Sequence, residues 1–346
     1  MDEEDDDADE APIIIKTNVS RGASEADGQP VAETKTEPTA EAKTAPLAEP
    51  ITDPDVPEHY EILEVCSECQ HGKSFLVYDK TLDTKFTLRF VTIGVARLTG
   101  GLPIETVAQL LMQQTHPHLA TVYDWRTDMK TNCMILDAPT ERSVETIIRT
   151  EGFLDLPRAI DIMIQVCEGL EELHRVNVVH GYIRPRSLGI VESSTGIDTA
   201  KVTNFSITNI LTNNIEQPLK IARNYTCNDV FYMSPEELRG ETPTIAADIY
   251  SLGCVIFHAI TGKPVYRART VQEVKALHLD PTPAAFRRRY EIPPHVEAVV
   301  LHMIETDPLK RYKDARSIRR DLERIRDRKE PILEDKWKRF ISYFGQ

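Results

Sequence analysis

The stretch of sequence that decides the fold is FYMSPEELRGETPTIAADIYSLGCVIFHAITGKPVY, residues 231–266. This first block joins a Ser-Pro-Glu sequence, which ends at Glu236, to a long apolar run that carries Asp248. A second block, VVHGYIRPRSLGIV (178–191), sets His180 and a few other polar residues between two apolar runs. Apolar residues recur with the period of a helix in this half of the chain, which predicts a helical region around both blocks.

Short β-prone runs precede that region. The sequence predicts strands at EILEVC, SFLVYD, KFTLRFV, TVYDWR and NCMILDA, which are apolar runs bounded by turn residues, and a helix at IETVAQLLMQQ. A longer helix is predicted over 156–176, where Ile160, Met163, Cys167 and Leu170 share one face. A strand-rich part of about 80 residues followed by a helix-rich part of about 190 predicts an α+β body in two lobes.

The negative charge of the chain is concentrated at its N-terminus. Residues 1–57 hold 16 Asp and Glu, 4 Lys and Arg, seven Pro and no aromatic residue, whereas residues 58–346 hold 39 acidic and 37 basic residues. Such a segment cannot bury enough apolar surface to offset the entropy of ordering, so we predict a disordered acidic arm over 1–57. The nearly neutral remainder gives no electrostatic reason to expect a nucleic-acid partner.

The sequence predicts a cytoplasmic protein. Its first ten residues are acidic where a secretory signal would be basic, and no uncharged run of about 18 apolar residues predicts a membrane span. The six cysteines are scattered, which argues against a disulfide framework and favours a reducing compartment.

The chain resembles the eukaryotic-type Ser/Thr protein kinases, particularly the bacterial ones, over residues 58–327. The first block is similar to the end of the family's activation segment and the helix that follows, and the second block is similar to its catalytic loop. ETDPLKRYKDARSI (305–318) resembles the closing Asp-Pro-x-x-Arg element. The resemblance implies a bilobal protein-kinase-like fold of the α+β class. Its predicted parts are a small β-rich N-lobe (58–137), a larger helical C-lobe (138–327) and an amphipathic C-terminal tail (328–346).

The residues at the positions that the family uses for chemistry are different here. Phosphoryl transfer requires bound phosphates, two ligated metal ions and an oriented hydroxyl group. The resemblance places Tyr182 at the catalytic Asp, Ser187 at the metal-binding Asn and Asn204 at the Asp of Asp-Phe-Gly. A neutral phenol is a poor base near pH 7, and Mg²⁺ prefers carboxylate oxygen, so we expect neither catalysis nor Mg²⁺ binding. In the family, a Glu in the N-lobe helix called αC pairs with the phosphate-contacting Lys. The resemblance aligns this Glu with Val107, or with Glu105 after a shift of two residues.

The nucleotide-binding positions are altered as well. The Gly-rich loop CSECQHG keeps only Gly72 of three glycines, and Arg89 replaces the phosphate-contacting Lys. Ser74, Thr87 and Gly189 stand at the positions that sandwich the adenine, where they forfeit apolar contact. We expect no cofactor beyond weakly bound ATP. The residual cleft would be formed by Gly72, Arg89, Leu136, Asp137 and Arg184.

Residues that serve the family's architecture, by contrast, match the resemblance. The four stacked positions that tie the lobes together are filled by His180, Phe205, Leu111 and Val122. Asp248 would anchor that stack through backbone N–H groups of the catalytic loop, and Glu236 and Arg311 would form a buried ion pair beneath the activation segment. The replacements are confined to the positions that the family uses for catalysis, metal binding and nucleotide binding. This pattern indicates a kinase fold that has lost its catalytic activity.

Two segments have a second interpretation. In CSECQH, the second interpretation is a zinc site with Cys66, Cys69 and His71 as ligands. A lone Cys-x-x-Cys within a strand–turn–strand favours an ordinary β-turn instead. The tail over 335–346 forms a helical face of Trp337, Phe340, Ile341 and Phe344, with cations nearby. We favour docking of this tail on its own C-lobe, and a partner groove or an anionic membrane are the alternatives.

The sequence therefore predicts a pseudokinase, a catalytically inactive protein-kinase-like domain that acts as a signalling scaffold or allosteric partner. Its expected partner is an active kinase or another signalling protein. The alternative is a divergent nucleotide-binding kinase or other transferase that uses Arg89, Arg184 and Arg186 in place of metals. A pure scaffold without any ligand in the cleft is a third hypothesis.

Overall fold

A computed structural model describes residues 56–69, 72–91, 104–127, 132–192, 198–204, 230–241, 243–280 and 292–332. These stretches all belong to one structural unit, Leu47–Gln346. Among the described helices, none is long and apolar enough to cross a membrane. The predicted arm, apart from its last two residues, and residues 333–346 of the predicted tail lie outside the described residues. So do Phe205, His71 and the side chains of Glu105 and Val107.

The N-terminal part is an antiparallel five-stranded sheet with the order β1-β2-β3-β5-β4. Its strands are β1 (Tyr60–Cys69), β2 (Gly72–Asp79), β3 (Thr84–Val91), β4 (Val122–Arg126) and β5 (Asn132–Asp137). Helix α1 (Ile104–Met112) contacts β4. Alternate residues of a strand face opposite sides of a sheet, so Leu88 and Phe90 enter an apolar cluster while Arg89 faces the other way.

The C-terminal part is helical. Its helices are α2 (Val144–Glu151), α3 (Leu156–Arg175), α4 (Pro235–Arg239), α5 (Ile245–Thr261), α6 (Val271–Leu279), α7 (Pro294–Met303) and α8 (Ala315–Arg326). Its described residues also form two 3₁₀ turns, Pro185–Ser187 and Pro308–Lys310, and a sheet of β6 (Arg142–Ser143), β7 (Leu188–Glu192) and β8 (Asp198–Val202). The predicted α+β order, strands before helices, is confirmed.

Helix α3 forms the centre of this part because one of its faces is apolar. The predicted face of Ile160, Met163, Cys167 and Leu170 is buried. Gly169 lets α3 approach the backbone at His118 closely, because a Cβ at position 169 would lie 2.5 Å from the His118 carbonyl oxygen. The Asp155 carboxylate accepts from the Arg158 N–H and caps the start of α3.

The two lobes share one hydrophobic core. Leu111, Val122 and Leu136 of the N-lobe pack in the same cluster as Leu188 and Val202 of the C-lobe. Backbone bonds join the parts as well, because the Ala120 N–H donates to the Val202 carbonyl oxygen over 2.8 Å. The cleft residues are therefore held on both sides by buried apolar contacts.

The buried His278 and the half-buried His258 make the fold sensitive to acid. The Tyr250 hydroxyl oxygen lies 2.7 Å from Nδ1 of His278, and the Tyr232 hydroxyl oxygen lies 2.6 Å from Nδ1 of His258. Burial lowers the pKa of His278 to about 3 and the pKa of His258 to about 4, from an ordinary value of 6.5. A group with a lowered pKa in the fold contributes stability that is complete above 6.5 and is lost as the pH falls toward the folded value.

We expect these two histidines to make the free energy of unfolding about 2–4 kcal/mol lower near pH 5 than near pH 7.5. The unfolded chain takes up protons at His258 and His278 in this range, and the folded chain does not. Glu237, whose pKa is raised to about 7 by burial, acts in the opposite direction, and urea titration at both pH values measures the net change. The variant His258→Phe/His278→Phe should show a clearly smaller difference between the two pH values. Equal pH dependence in the variant and the parent would contradict this assignment.

Candidate functional site

The loop between α3 and β7 is anchored by Asp248, whose side chain is 1% exposed. Its carboxylate accepts from the backbone N–H of His180 (2.8 Å) and of Gly181 (2.7 Å). It also lies 2.9 Å from Nε2 of His174 in α3. Gly181 takes a φ of 64°, which a residue without a Cβ adopts at no steric cost. Three contacts to one buried carboxylate fix the path of the loop.

His180 links this loop to the residues that follow β8. Its Nε2 lies 2.9 Å from the Thr203 carbonyl oxygen, and its Nδ1 accepts from the Tyr182 backbone N–H at 3.1 Å. Nδ1 can accept only when it carries no hydrogen, so Nε2 is the donor and the ring is neutral. Burial lowers the pKa of His180 in agreement with this state.

Tyr182 lies close to two guanidinium groups. The central carbon of the Arg184 guanidinium is 3.5 Å from the centroid of the tyrosine ring, and that of Arg186 is 5.2 Å away. Arg186 also donates to the phenol oxygen. The ring and the phenol oxygen of Tyr182 are therefore both in contact with cations of the protein itself.

The Ser187 hydroxyl is bonded within its own turn. It is fully buried, accepts from the Arg184 N–H and donates to the Arg184 carbonyl oxygen, both at 2.9 Å. The Ser187 carbonyl oxygen accepts from the Thr203 N–H at 2.8 Å. The hydroxyl therefore bonds both backbone groups of Arg184 and reinforces the 3₁₀ turn, which the Ser187 N–H also closes by donating to the Arg184 carbonyl oxygen.

Arg89 of β3 bonds across the cleft to Asn204, just after β8. Its Nη2 donates to Oδ1 of Asn204 at 2.8 Å, and its Nε donates to Oγ of Ser74 at 3.1 Å. Asn204 has a φ of 59°, a left-handed conformation that Asn tolerates better than most residues. The amide oxygen at this position accepts from a protein cation, and this hydrogen bond joins the two lobes.

Asp137, at the end of β5, is held by three donors. Its carboxylate accepts from Nζ of Lys201 (2.7 Å), the Thr121 N–H (2.9 Å) and the Tyr123 hydroxyl (2.6 Å). Burial alone would raise the pKa of Asp137, but these hydrogen bonds outweigh it, and the pKa lies below its ordinary value. The same contact raises the pKa of Tyr123 to about 12. The carbonyl oxygen of Asp137 accepts from Oγ1 of Thr87 at 2.9 Å, so this residue joins strands and lobes.

The segment between β5 and β6 fills part of the cleft itself. A Cβ added to Gly189 of β7 would lie 2.3 Å from Oγ1 and 2.9 Å from Cγ2 of Thr140. The Thr140 side chain therefore occupies the space in which a larger residue at 189 would project. The neighbouring Pro139 has no backbone N–H to offer a ligand.

Gly189→Ala is expected to lower the free energy of unfolding by about 1–3 kcal/mol, because the new methyl group overlaps Thr140. Urea titration measures the loss. Thr140→Ala removes both overlapping atoms, so the double variant should be more stable than the sum of the two single effects predicts. Strict additivity of the two substitutions would show that Thr140 does not occupy this space.

The predicted framework pair of Glu236 and Arg311 is a bidentate contact. Nη1 and Nη2 of Arg311 donate to the two carboxylate oxygens of Glu236 at 2.7 Å and 2.8 Å. The Arg311 side chain is fully buried, and its guanidinium lies 4.8 Å from the centroid of the Tyr250 ring. Leu111 and Val122 lie in the shared core described above.

The described residues contain no group of three or more His, Cys, Asp or Glu arranged to hold a metal ion. Cys69 pairs directly with Gly72 in the β1–β2 hairpin, as the β-turn interpretation expects, while His71 lies outside the described residues.

The structure brings two groups of predicted site residues together. Arg89, Ser74 and Asn204 form one group, and Tyr182, Arg184 and Arg186 form the other.

Sequence reasoning missed several residues that shape this site. They are His174, Thr140, Pro139, Lys201 and Tyr123. The absence of an N–H at Pro139 is visible in the sequence. The roles of the others depend on partners that lie 14 to 74 residues away, and no local pattern indicates them.

Comparisons with known proteins agree with this geometry. The family model described as "Protein kinase domain" matches residues 70–321. Serine/threonine-protein kinase PknB of Mycolicibacterium smegmatis is 27% identical over 290 residues, which are 81% of this chain and 45% of the relative. Serine/threonine-protein kinase PrkC of Bacillus subtilis is 25% identical over 284 residues, which are 80% and 43%. The chain thus spans less than half the length of these relatives.

A solved structure shows the same fold. The crystal structure of Rad53 in complex with AMP-PNP is similar with a TM-score of 0.58 and 15% identity, and the match covers 76% of this chain and 64% of that one. At this identity the likeness concerns the fold alone. The predicted bilobal fold and the resemblance to bacterial Ser/Thr kinases are confirmed, and the chain belongs to the protein kinase domain family.

Proposed function

We propose that this chain is a pseudokinase, a kinase-fold domain that transfers no phosphate and acts by binding a protein partner. One observation carries the proposal. At the three positions that the resemblance assigns to the base and the metal ligands, the polar groups bond within the protein. The Tyr182 phenol accepts from Arg186, the Ser187 hydroxyl bonds the Arg184 backbone, and the Asn204 amide oxygen accepts from Arg89.

The charge at these positions disfavours a metal-dependent reaction. Phosphoryl transfer relies on metal ions that neutralise the developing charge and are held by carboxylate and amide oxygens. Asn204 and Ser187 bring no negative charge, and Arg89 already bonds the Asn204 oxygen. A divalent ion at Asn204 would have to displace this cation and then lie close to it, which is electrostatically unfavourable.

Nucleotide binding is disfavoured by the lining of the cleft. Ser74 and Thr87 already have hydrogen-bond partners in Arg89 and the Asp137 carbonyl oxygen, so a base gains nothing by satisfying them. Thr140 fills space over Gly189. We therefore propose that ATP binds weakly, without Mg²⁺.

The intact framework supports a binding role. Asp248 holds the loop at 180–187, and the buried pair of Arg311 and Glu236 holds the C-lobe, so the surface keeps a defined shape without the reaction. We propose an active kinase or another signalling protein as the partner, in the cytoplasm, and no nucleic acid.

A thermal-shift titration tests the loss of nucleotide binding. A ligand that binds only the folded state at 100 times its Kd stabilises it by about 2.7 kcal/mol, which is a readily measured rise in Tm. We expect no rise with ATP and Mg²⁺ or Mn²⁺ beyond the rise with ATP alone. A metal-dependent rise that is absent in Arg89→Ala would contradict the proposal.

The alternative is a divergent transferase that binds phosphate through arginine instead of metal. It is favoured by the three cations Arg89, Arg184 and Arg186 and by the kinase names of the relatives. In the same titration it predicts a large metal-independent rise in Tm with ATP, whereas the weak binding proposed for the pseudokinase predicts at most a small one. A pure scaffold predicts no rise with any nucleotide.

A further inference from the structure

Helix α8 carries arginines on two faces, and the face toward α3 is fully paired. Arg319 donates to Glu171 of α3 at 2.6 Å and to Glu323 at 2.8 Å. Arg326 lies 3.7 Å from the carboxylate of Asp161, also in α3. These ion pairs explain the cations on the inner side of the helix, because α8 packs against α3 and needs counter-charges there.

The outer side of α8 carries Arg316, Arg320 and Arg324 at intervals of four residues, and Arg328 follows two residues after the end of the helix. This arginine ladder consists of Arg316, Arg320, Arg324 and Arg328. Arg324 donates to the Glu330 carbonyl oxygen at 2.6 Å. In the described part of the chain, the side chains of the exposed Arg316, Arg320 and Arg328 have no hydrogen bond or ion pair, and neither has the nearby exposed Lys313.

The ladder is electrostatically unfavourable for the helix that carries it. Like charges four residues apart on a helix repel each other, as Arg316 and Arg320 do, and the Asp314 carboxylate at the N-cap, which attracts Arg316, offsets only part of this repulsion. Arg316 also lies in the first turn, where the helix dipole disfavours a cation. An external anion would relieve both effects, whereas the paired inner arginines would gain nothing from it.

The shape of this surface favours a polypeptide over a membrane. A concavity of about 510 Å³ lies beside the ladder, lined by Asp314, Arg316, Ser317, Arg319, Arg320 and Glu323. A side chain can enter such a concavity, and a flat bilayer cannot. Four residues of helix rise about 6 Å, close to the roughly 6.7 Å between alternate side chains of an extended strand.

We propose that the arginine ladder binds an acidic segment of a partner protein, in an extended conformation with carboxylates at alternate positions. The inference deepens the proposed binding role and rests on it for the class of partner. It does not depend on the loss of catalysis, because α8 contributes none of the cleft residues described above. The proposed recognition element of the partner is a run of alternating Asp or Glu.

Binding is measured with the full chain and a fluorescent peptide that has Glu at alternate positions. A peptide with Gln in place of each Glu serves as the probe control. We expect saturable anisotropy with the Glu peptide that weakens as salt is added, and none with the Gln peptide. The variant Arg316→Gln/Arg320→Gln/Arg328→Gln should bind the Glu peptide roughly tenfold more weakly or worse.

A matched variant controls for net charge. Arg149, Arg267 and Lys275 are exposed cations on other elements, without a partner among the described residues, and their triple replacement by Gln removes the same charge. It should bind like the parent. Equal loss in both variants, or no loss in the ladder variant, would overturn the proposal. It would also be overturned if anionic phosphatidylserine vesicles, but not the peptide, bound in a ladder-dependent way. None of these measurements involves nucleotide, so the proposed loss of catalysis is tested separately.

Discussion

Replacing Arg311 by Met is expected to destabilise the protein by about 3–5 kcal/mol, because it leaves the buried Glu236 carboxylate without a counter-charge. The loss is larger than that of one ion pair. The Arg311 guanidinium also donates to the carbonyl oxygens of Glu305 and Ala246, both at 2.7 Å, and these buried acceptors lose their partner. Urea or thermal unfolding monitored by circular dichroism measures the effect.

A double variant separates the contribution of the ion pair to stability from the cost of leaving one buried charge without a partner. Glu236→Leu/Arg311→Met removes both charges, and replacing a buried pair by apolar groups is often far less damaging than removing one partner. We expect the double variant to be more stable than Arg311→Met alone. If it is less stable than both single variants, the contact contributes more than its desolvation costs, and this account of the pair is wrong.

Asp248→Ala has the second large expected effect, also about 3–5 kcal/mol. It removes the acceptor of the His180 and Gly181 N–H groups and a contact to His174, and it leaves buried donors unsatisfied. Water has little access to replace the carboxylate. The loop at 180–187 should lose protection in hydrogen exchange before the rest of the C-lobe does.

Asp248→Asn is the matched control because it keeps the size of the side chain. One of its terminal atoms becomes an NH₂ group that faces a donor, so we expect an intermediate loss of about 2–3 kcal/mol. If Asp248→Ala and Asp248→Asn unfold with the same free energy as the parent, Asp248 does not anchor the loop.

The elements of this fold follow from local pattern. Each predicted strand and helix of the N-lobe is present, because alternation and turn residues identify short strands when one face is buried. The long helix α3 is present with the predicted apolar face, because Ile160, Met163, Cys167 and Leu170 recur at helical spacing. The ion pair of Glu236 with Arg311 was predicted only through the resemblance, since the two residues are 75 positions apart.

The internal bonds of the cleft could not be predicted in the same way. The contact between Arg89 and Asn204 spans 115 residues and depends on how the lobes close and on a left-handed φ at Asn204. The packing of Thr140 over Gly189 depends on the path of the segment between β5 and β6. The resemblance predicts which side chains are replaced, and the structure shows which partners those side chains have.

The most direct test of the central claim is a phosphotransfer assay with ATP labelled at the γ-phosphate. The full chain is incubated with Mg²⁺ or Mn²⁺ and a general protein substrate, beside the Arg89→Ala variant. None of the three positions assigned to the base and the metal ligands, Tyr182, Ser187 and Asn204, carries a carboxylate. We therefore predict no more phosphate transfer by the parent than by the variant. Metal-dependent transfer to the substrate or to the chain itself, lost in Arg89→Ala, would contradict the account.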